Sequence, residues 1–119
     1  MKKKLSPFLK KKKDAHDALL KKEMKKNTYL ALVLHILNDS HQDSMHSDDI
    51  VKKMFMKKNS LNNMDGLNED DSFVQYNVRI YVEPFWKSIK KGVEKNLIQQ
   101  IKTPGEKRLY LGHMYRLKK

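Results

Sequence analysis

The sequence predicts a mainly α fold of the α+β class, a three-helix bundle closed by a C-terminal two-stranded β-hairpin. Three observations predict it. Apolar residues recur at helical spacing in three separate stretches between residues 28 and 91. The last stretch, "LIQQIKTPGEKRLYLGHMYRLKK", instead alternates on either side of a Pro-Gly turn. No cysteine is present, so a packed apolar core must hold the fold without disulfides or thiolate metal sites. The hydrophobic share of 39% is enough for one such core over part of the 119 residues, hence a single domain.

Residues 1–26 carry lysine blocks at Lys2–Lys4, Lys10–Lys13, Lys21–Lys22 and Lys25–Lys26 with few apolar residues between them. Like charges this dense repel, which predicts a mobile arm ahead of a folded domain at 27–119. Asp14–Met24 is expected to become helical only when its lysines are neutralised. The first helix starts at Asn27 or Thr28, either of which can cap it. Tyr29–Leu37 is apolar on nearly every side, as a central core helix is. Gln42–Met45 leaves room for a short strand. Ser47 is expected to cap the second helix, with Asp48 and Asp49 in its first turn. Ile50, Val51, Met54 and Phe55 form its apolar face, with lysines opposite.

Asn59–Asp71 is polar, acidic and Gly-containing, hence a loop, long for a helix–helix connection. From Ser72 the recurrence Val74, Val78, Tyr81/Val82, Phe85, Ile89 predicts one third helix to about Lys91, with Pro84 bending it or ending it early. Gly92 offers its stop. The hairpin follows: a strand at Leu97–Lys102, a turn at Thr103–Arg108, and a second strand at Leu109–Leu117 with Leu109, Leu111, His113, Tyr115 and Leu117 on one face.

Helix, short strand, helix, helix, two-stranded ribbon: this order resembles the winged-helix DNA-binding domains. Within that group Lys90–Lys119 is similar to the end of the linker-histone globular domain. Gly92, Leu97, Ile98, Gln99, Lys102, Gly105, Tyr115, Arg116 and Leu117 are the matching residues. The acidic loop 59–71 is longer than that family requires. The resemblance implies that the third helix lies in the major groove of double-stranded DNA and that the basic ribbon tip, the wing, touches its backbone or minor groove.

Charge agrees with a polyanion partner. The net +12 is divided as +8 over residues 1–26, −4 over 27–71 and +8 over 72–119. With Val74, Val78, Tyr81, Phe85 and Ile89 turned to the core, a continuous third helix shows Tyr76, Arg79, Ile80, Glu83, Lys87 and Lys90 outward, with Gln75 and Trp86 at the margin. Arg79 then has the planar fork that reads guanine, Gln75 can pair with adenine, and Lys87, Lys90 and Lys91 sit on phosphates. Lys102, Lys107 and Arg108 serve the wing. Lys10, Lys11, Lys12 and Lys13 add sequence-blind affinity by counterion release. An ordinary solvated face and a charged tip that merely discourages edge pairing are the plain alternatives. Tyr76 and Ile80 are unusual on a phosphate-binding face, and Glu83 repels phosphate. With the acidic segment 59–71 they point instead to a protein partner.

His41, Asp43 and His46 lack the companion ligands of a zinc site, so no metal is expected. No nucleophile–base pair, phosphate-cradling Gly loop or facing carboxylate pair is legible, so neither an enzyme nor a cofactor is expected. The longest apolar run, Tyr29–Leu37, contains His35 and is far short of the ~20 residues of a membrane span. With no secretory signal legible, an intracellular protein is expected, nuclear if eukaryotic and otherwise in the cytoplasm or nucleoid. The functional expectation is sequence-tolerant or weakly specific double-stranded DNA binding in transcription regulation or chromosome organisation. A winged-helix protein-interaction subunit of a transcription or replication assembly is the alternative.

Overall fold

Five helices and a small antiparallel sheet are built by residues 7–118, which the computed structural model describes, with side chains from residue 11. In chain order they are α1 (Pro7–Met24), α2 (Tyr29–Asp39), β1 (Met45–His46), α3 (Ser47–Lys58), α4 (Ser72–Arg79), α5 (Val82–Glu94), β2 (Ile98–Ile101) and β3 (Met114–Leu117). The protein is thus mainly helical with a three-stranded sheet, in keeping with the α+β class.

The apolar run of α2 makes it the central helix. Leu30, Ala31, Val33, Leu34, Ile36 and Leu37 are all buried, and Thr28 Oγ1 accepts the Ala31 N–H at 3.1 Å to cap its start. α3 and α5 pack on it with Ile50, Met54, Phe55, Phe85 and Ile89. The sheet closes the core from the other side in the order β1-β3-β2. Tyr115 of the middle strand faces Met45 on one side and Gln100 on the other, and its buried ring meets Phe85 edge-on at 5.6 Å. Gly92 allows α5 to approach β2: a Cβ there would collide with Cδ1 and Cγ1 of Ile98.

Four sequence expectations change. First, residues 7–24 are not an arm without structure but the helix α1, held on the domain. Leu20 and Met24 pack against the core, His16 Nε2 donates to the Lys118 carbonyl at 2.8 Å, and His35 Nε2 to the Met24 carbonyl at 2.8 Å. Glu23, 4% exposed, accepts from Lys26 at 2.9 Å and from Lys95 at 3.2 Å. Charge repulsion among the lysines is offset because Lys11, Lys12, Lys13, Lys21 and Lys22 are exposed while one acid pairs inward. Residues 1–6 lie outside the described residues, as does the side chain of Lys10.

Second, the third helix is two helices. Pro84 is the third residue of α5, where its missing N–H is harmless; continued into α4, the same residue would leave the Ile80 carbonyl without its donor and clash with it. The chain therefore turns at Ile80–Tyr81. Third, the second ribbon strand begins at Met114 rather than Leu109. Gly112 at φ 84° interrupts the extended run, and Leu109 stays 66% exposed. Fourth, the α3 cap is His46, whose Nδ1 accepts the Asp48 N–H at 3.1 Å. Buried Ser47 is freed to accept the Gly112 N–H at 2.8 Å through its Oγ.

Candidate nucleic-acid interface

The outward face of α5 follows from its buried one. Phe85, Ser88, Ile89 and Gly92 face the core, so Glu83, Lys87, Lys90 and Glu94 stand opposite, with Lys91 and Trp86 on the two flanks. Lys87 is paired with Glu83 at 2.7 Å, which holds the Glu83 carboxyl below the usual carboxylate range. Lys90 and Lys91 are exposed and in no ion pair among the described residues.

Residues 102–113 form a loop with a fixed shape rather than a bare turn. Gly105 takes φ 82° after Pro104, and the Glu106 N–H closes on the Thr103 carbonyl at 3.2 Å. The Glu106 carboxylate then grips Arg108 three times: the backbone N–H at 2.9 Å, Nε at 3.0 Å and a terminal nitrogen at 3.1 Å. These contacts push the Glu106 carboxyl down to about 2 and raise the Arg108 guanidinium. Arg108, expected on DNA, is thus engaged inside its own loop.

Buried His113 pins the loop from beneath. Its Nδ1 accepts the Thr103 N–H at 3.0 Å, so its Nε2 carries the proton donated to the Arg108 carbonyl at 2.6 Å. Gln100 Nε2 donates to the Leu109 carbonyl at 2.8 Å, and the Tyr115 hydroxyl donates to the Tyr110 carbonyl. Burial pushes the Tyr115 phenol up to about 12. What joins loop to helix is one stacked pair: the Trp86 and Tyr110 rings lie 5.8 Å apart with 15° between their planes. Lys87 Nζ lies 5.9 Å from the Trp86 ring centroid. The loop and α5 are therefore one structural piece, and the exposed Lys102 and Lys107 are carried on it.

The expected site residues divide into groups. Lys87 and Lys91 line a cleft between α5 and the α1–α2 corner, together with Lys26, Lys95 and the buried Glu23. Lys90, Lys102 and Lys107 are exposed on α5 and the loop. Lys11, Lys12 and Lys13 are exposed on α1. Gln75 and Arg79 are not with any of these. Because the helix breaks at Ile80, they sit on α4 and line a groove with Lys52, Met64 and Glu69, beside the acidic loop. The reading of Arg79, with Gln75 at the margin, as one face with Lys87 and Lys90 is corrected by that break, whereas Ile80 lines the cleft that holds Glu83, Lys87 and Lys91. At the elbow the Tyr81 ring meets Phe55 at 6.3 Å and Tyr29 at 6.5 Å, both edge-on.

Sequence reasoning missed three residues. Phe73 is 75% exposed and extends Tyr76 (67%) and Ile80 (49%) into an apolar stripe on the outer side of α4; its signal was the i, i+3, i+7 spacing. Tyr110 and Glu106 were missed because nothing local in the sequence announces a ring stack to a helix or a carboxylate turned back into its own loop. His41 and Asp43 line an open polar cavity beside β3, while His46 is used as a helix cap. No helix among the described residues is long and apolar enough to cross a membrane. Comparison with protein families, with curated proteins and with solved structures yields no match.

Proposed function

We propose that this chain is a winged-helix protein that binds double-stranded DNA with little sequence preference, in transcription regulation or chromosome organisation, and is not an enzyme. The observed order of α2, β1, α3, the α4–α5 pair and the β2–β3 ribbon supports the winged-helix reading. One observation carries the functional reading. The 102–113 loop is stacked onto α5 through Trp86 and Tyr110, so that Lys90, Lys91, Lys102 and Lys107 are presented by a single pre-organised piece.

At 13 residues α5 is about 20 Å long, a length the ~12 Å wide major groove accommodates end-on or obliquely. Its exposed cations are lysines, and no Arg, Asn or Gln stands on it to read a base edge with a planar fork. Phosphate contacts position a protein without specifying sequence, which is why the reading is of sequence-tolerant binding. The lysines of α1 add to the same term.

Fluorescence anisotropy with a labelled random duplex tests this. If four lysines each neutralise one phosphate, log affinity falls against log salt with a slope of about −4, steeper if α1 joins. An affinity indifferent to salt contradicts the proposal. The exposed stripe Phe73–Tyr76–Ile80 favours a second reading, a winged-helix subunit docking on a protein of a transcription or replication assembly. Recovery of a stoichiometric partner with no duplex binding would support it.

A further inference from the structure

We propose that the cleft between α5 and the α1–α2 corner binds the phosphate of a phosphomonoester, with the organic part of that ligand against Tyr29, Ile80 and Pro84. The cleft has a volume of about 960 Å³, within the ~300–1,000 Å³ of small-molecule sites. Donors converge on it from two helices. α2 starts there: the Ala31 N–H is taken by Thr28 Oγ1, whereas the Tyr29 and Leu30 N–H groups have no partner among the described residues. The start of a helix carries about half a positive charge, so these two free donors favour an anion. α5 supplies a second, independent observation. Ser88 lines the same cleft, is only 4% exposed and makes no hydrogen bond among the described residues. No sealed side-chain oxygen or nitrogen among those residues lacks a partner, so the Ser88 hydroxyl opens into the cleft. A nearly buried hydroxyl left free beside free helix donors is a ready contact for a ligand oxygen.

Lysines complete the donor set. Glu23, itself buried, holds Lys26 at 2.9 Å and Lys95 at 3.2 Å, yet each ammonium has three N–H donors and keeps at least one for a ligand. Lys91 is exposed and in no ion pair among the described residues. Of the other acids on the cleft, Glu83 is already paired with Lys87 at 2.7 Å and Glu94 is exposed to water. Four lysines against three glutamates leave the lining at +1, to which the start of α2 adds about half a charge. Shape selects a monoester over a duplex. A backbone phosphate is tied to sugar on both sides, whereas a terminal phosphate projects on one bond and can reach a recessed hydroxyl such as that of Ser88. Tyr29 (40% exposed) and Ile80 (49%) give a wall for the organic part. The cleft shares Lys91 with the proposed duplex-binding piece but not Lys90, Lys102 or Lys107, so the two readings can fail separately.

Titration of the full chain with phenyl phosphate, followed through its amide chemical shifts, tests this. Saturable binding should move the Tyr29, Leu30 and Ser88 amides, and inorganic phosphate, which lacks the ring, should bind about fivefold more weakly or worse. Ser88→Ala removes only the hydroxyl and should weaken phenyl phosphate by about tenfold, as should Lys91→Gln. Ser88→Ala should leave duplex affinity as it is, whereas Lys107→Ala should lower duplex affinity and leave phenyl phosphate untouched. The amide spectrum of each variant shows whether it is folded. Shifts spread over exposed lysines without saturation overturn the proposal, as does a phenyl phosphate affinity indifferent to Ser88→Ala or to Lys91→Gln. Equal affinity for inorganic phosphate overturns it too, because the organic part then has no place in the cleft. If a short random duplex moves the Tyr29, Leu30 and Ser88 amides and phenyl phosphate does not, the cleft belongs to the duplex site and the proposal is again overturned.

Discussion

Glu23 and Glu106 are two carboxylates with different duties, and their titration separates them. Glu23 is buried between Lys26 and Lys95, whose hydrogen bonds hold its carboxyl below the usual value of 4.5 against the opposing effect of burial. Glu106 is held near 2 by Arg108. Both are depressed in the folded state, so each contributes stability that is complete above about pH 4.5 and lost as pH falls through the folded value. Trp86, the only tryptophan, reports on the loop through its stack on Tyr110. Its fluorescence should change between about pH 4.5 and pH 2, and Glu106→Gln should remove that step; an unchanged profile in the variant contradicts the role given to Glu106. Glu23→Gln should cost about 1 kcal/mol in denaturant unfolding, modest because both lysines remain about 40% exposed and hydrated. Tyr115→Phe leaves the Tyr110 carbonyl without its donor and should also cost about 1 kcal/mol.

Among the elements, the α4–α5 elbow decides where the cations go. Ile80 (φ −63°) and Tyr81 (φ −87°) both already sit near helical backbone, and Pro84 is what separates the two helices. Pro84→Ala should therefore let α4 run into α5 and raise far-UV helical signal by about two residues' worth; no gain would mean that the Tyr81 ring contacts, not the proline, set the elbow. Gly92 is the other sensitive point. Alanine there gains up to about 1 kcal/mol of helix propensity, but its Cβ enters the Ile98 side chain, and overpacking of this kind costs about 1–3 kcal/mol. A net loss of stability is expected on thermal unfolding, and an unchanged midpoint would contradict the close approach. Helical periodicity made α2, α3 and the core face of α5 legible beforehand, because burial of Val33, Ile50 and Phe85 is written in local spacing. The elbow was half-legible: Pro84 was visible, but periodicity alone carried Val74–Tyr81 through as one rod. The long 102–113 loop was not legible, since alternation at Leu109–His113 continues that of the true strand β3, while the Arg108, Leu109 and Tyr110 carbonyls accept from the His113, Gln100 and Tyr115 side chains.

At the scale of the whole molecule, charge read from sequence and charge read from structure differ in one respect. The polarity of +8, −4 and +8 along the chain was visible at once. Which cations remain available was not, because the folded chain decides the pairs: Lys95 finds Glu23 across 72 residues, Lys52 finds Glu69 of the acidic loop, and Arg108 is held by Glu106 through the shape of their own loop. Folding α1 onto the domain likewise depends on Leu20, Met24 and Glu23 meeting partners far along the chain, which a lysine-rich local composition conceals. In the proposed function, α5 and its stacked loop act on the duplex as one piece. The most direct measurement is duplex affinity at fixed low salt for Lys90→Ala, Lys91→Ala, Lys102→Ala and Lys107→Ala combined, beside Gln75→Ala with Arg79→Ala. A loss of about a hundredfold or more is expected for the first set and little change for the second. Equal losses, or a loss confined to the α4 pair, would contradict it.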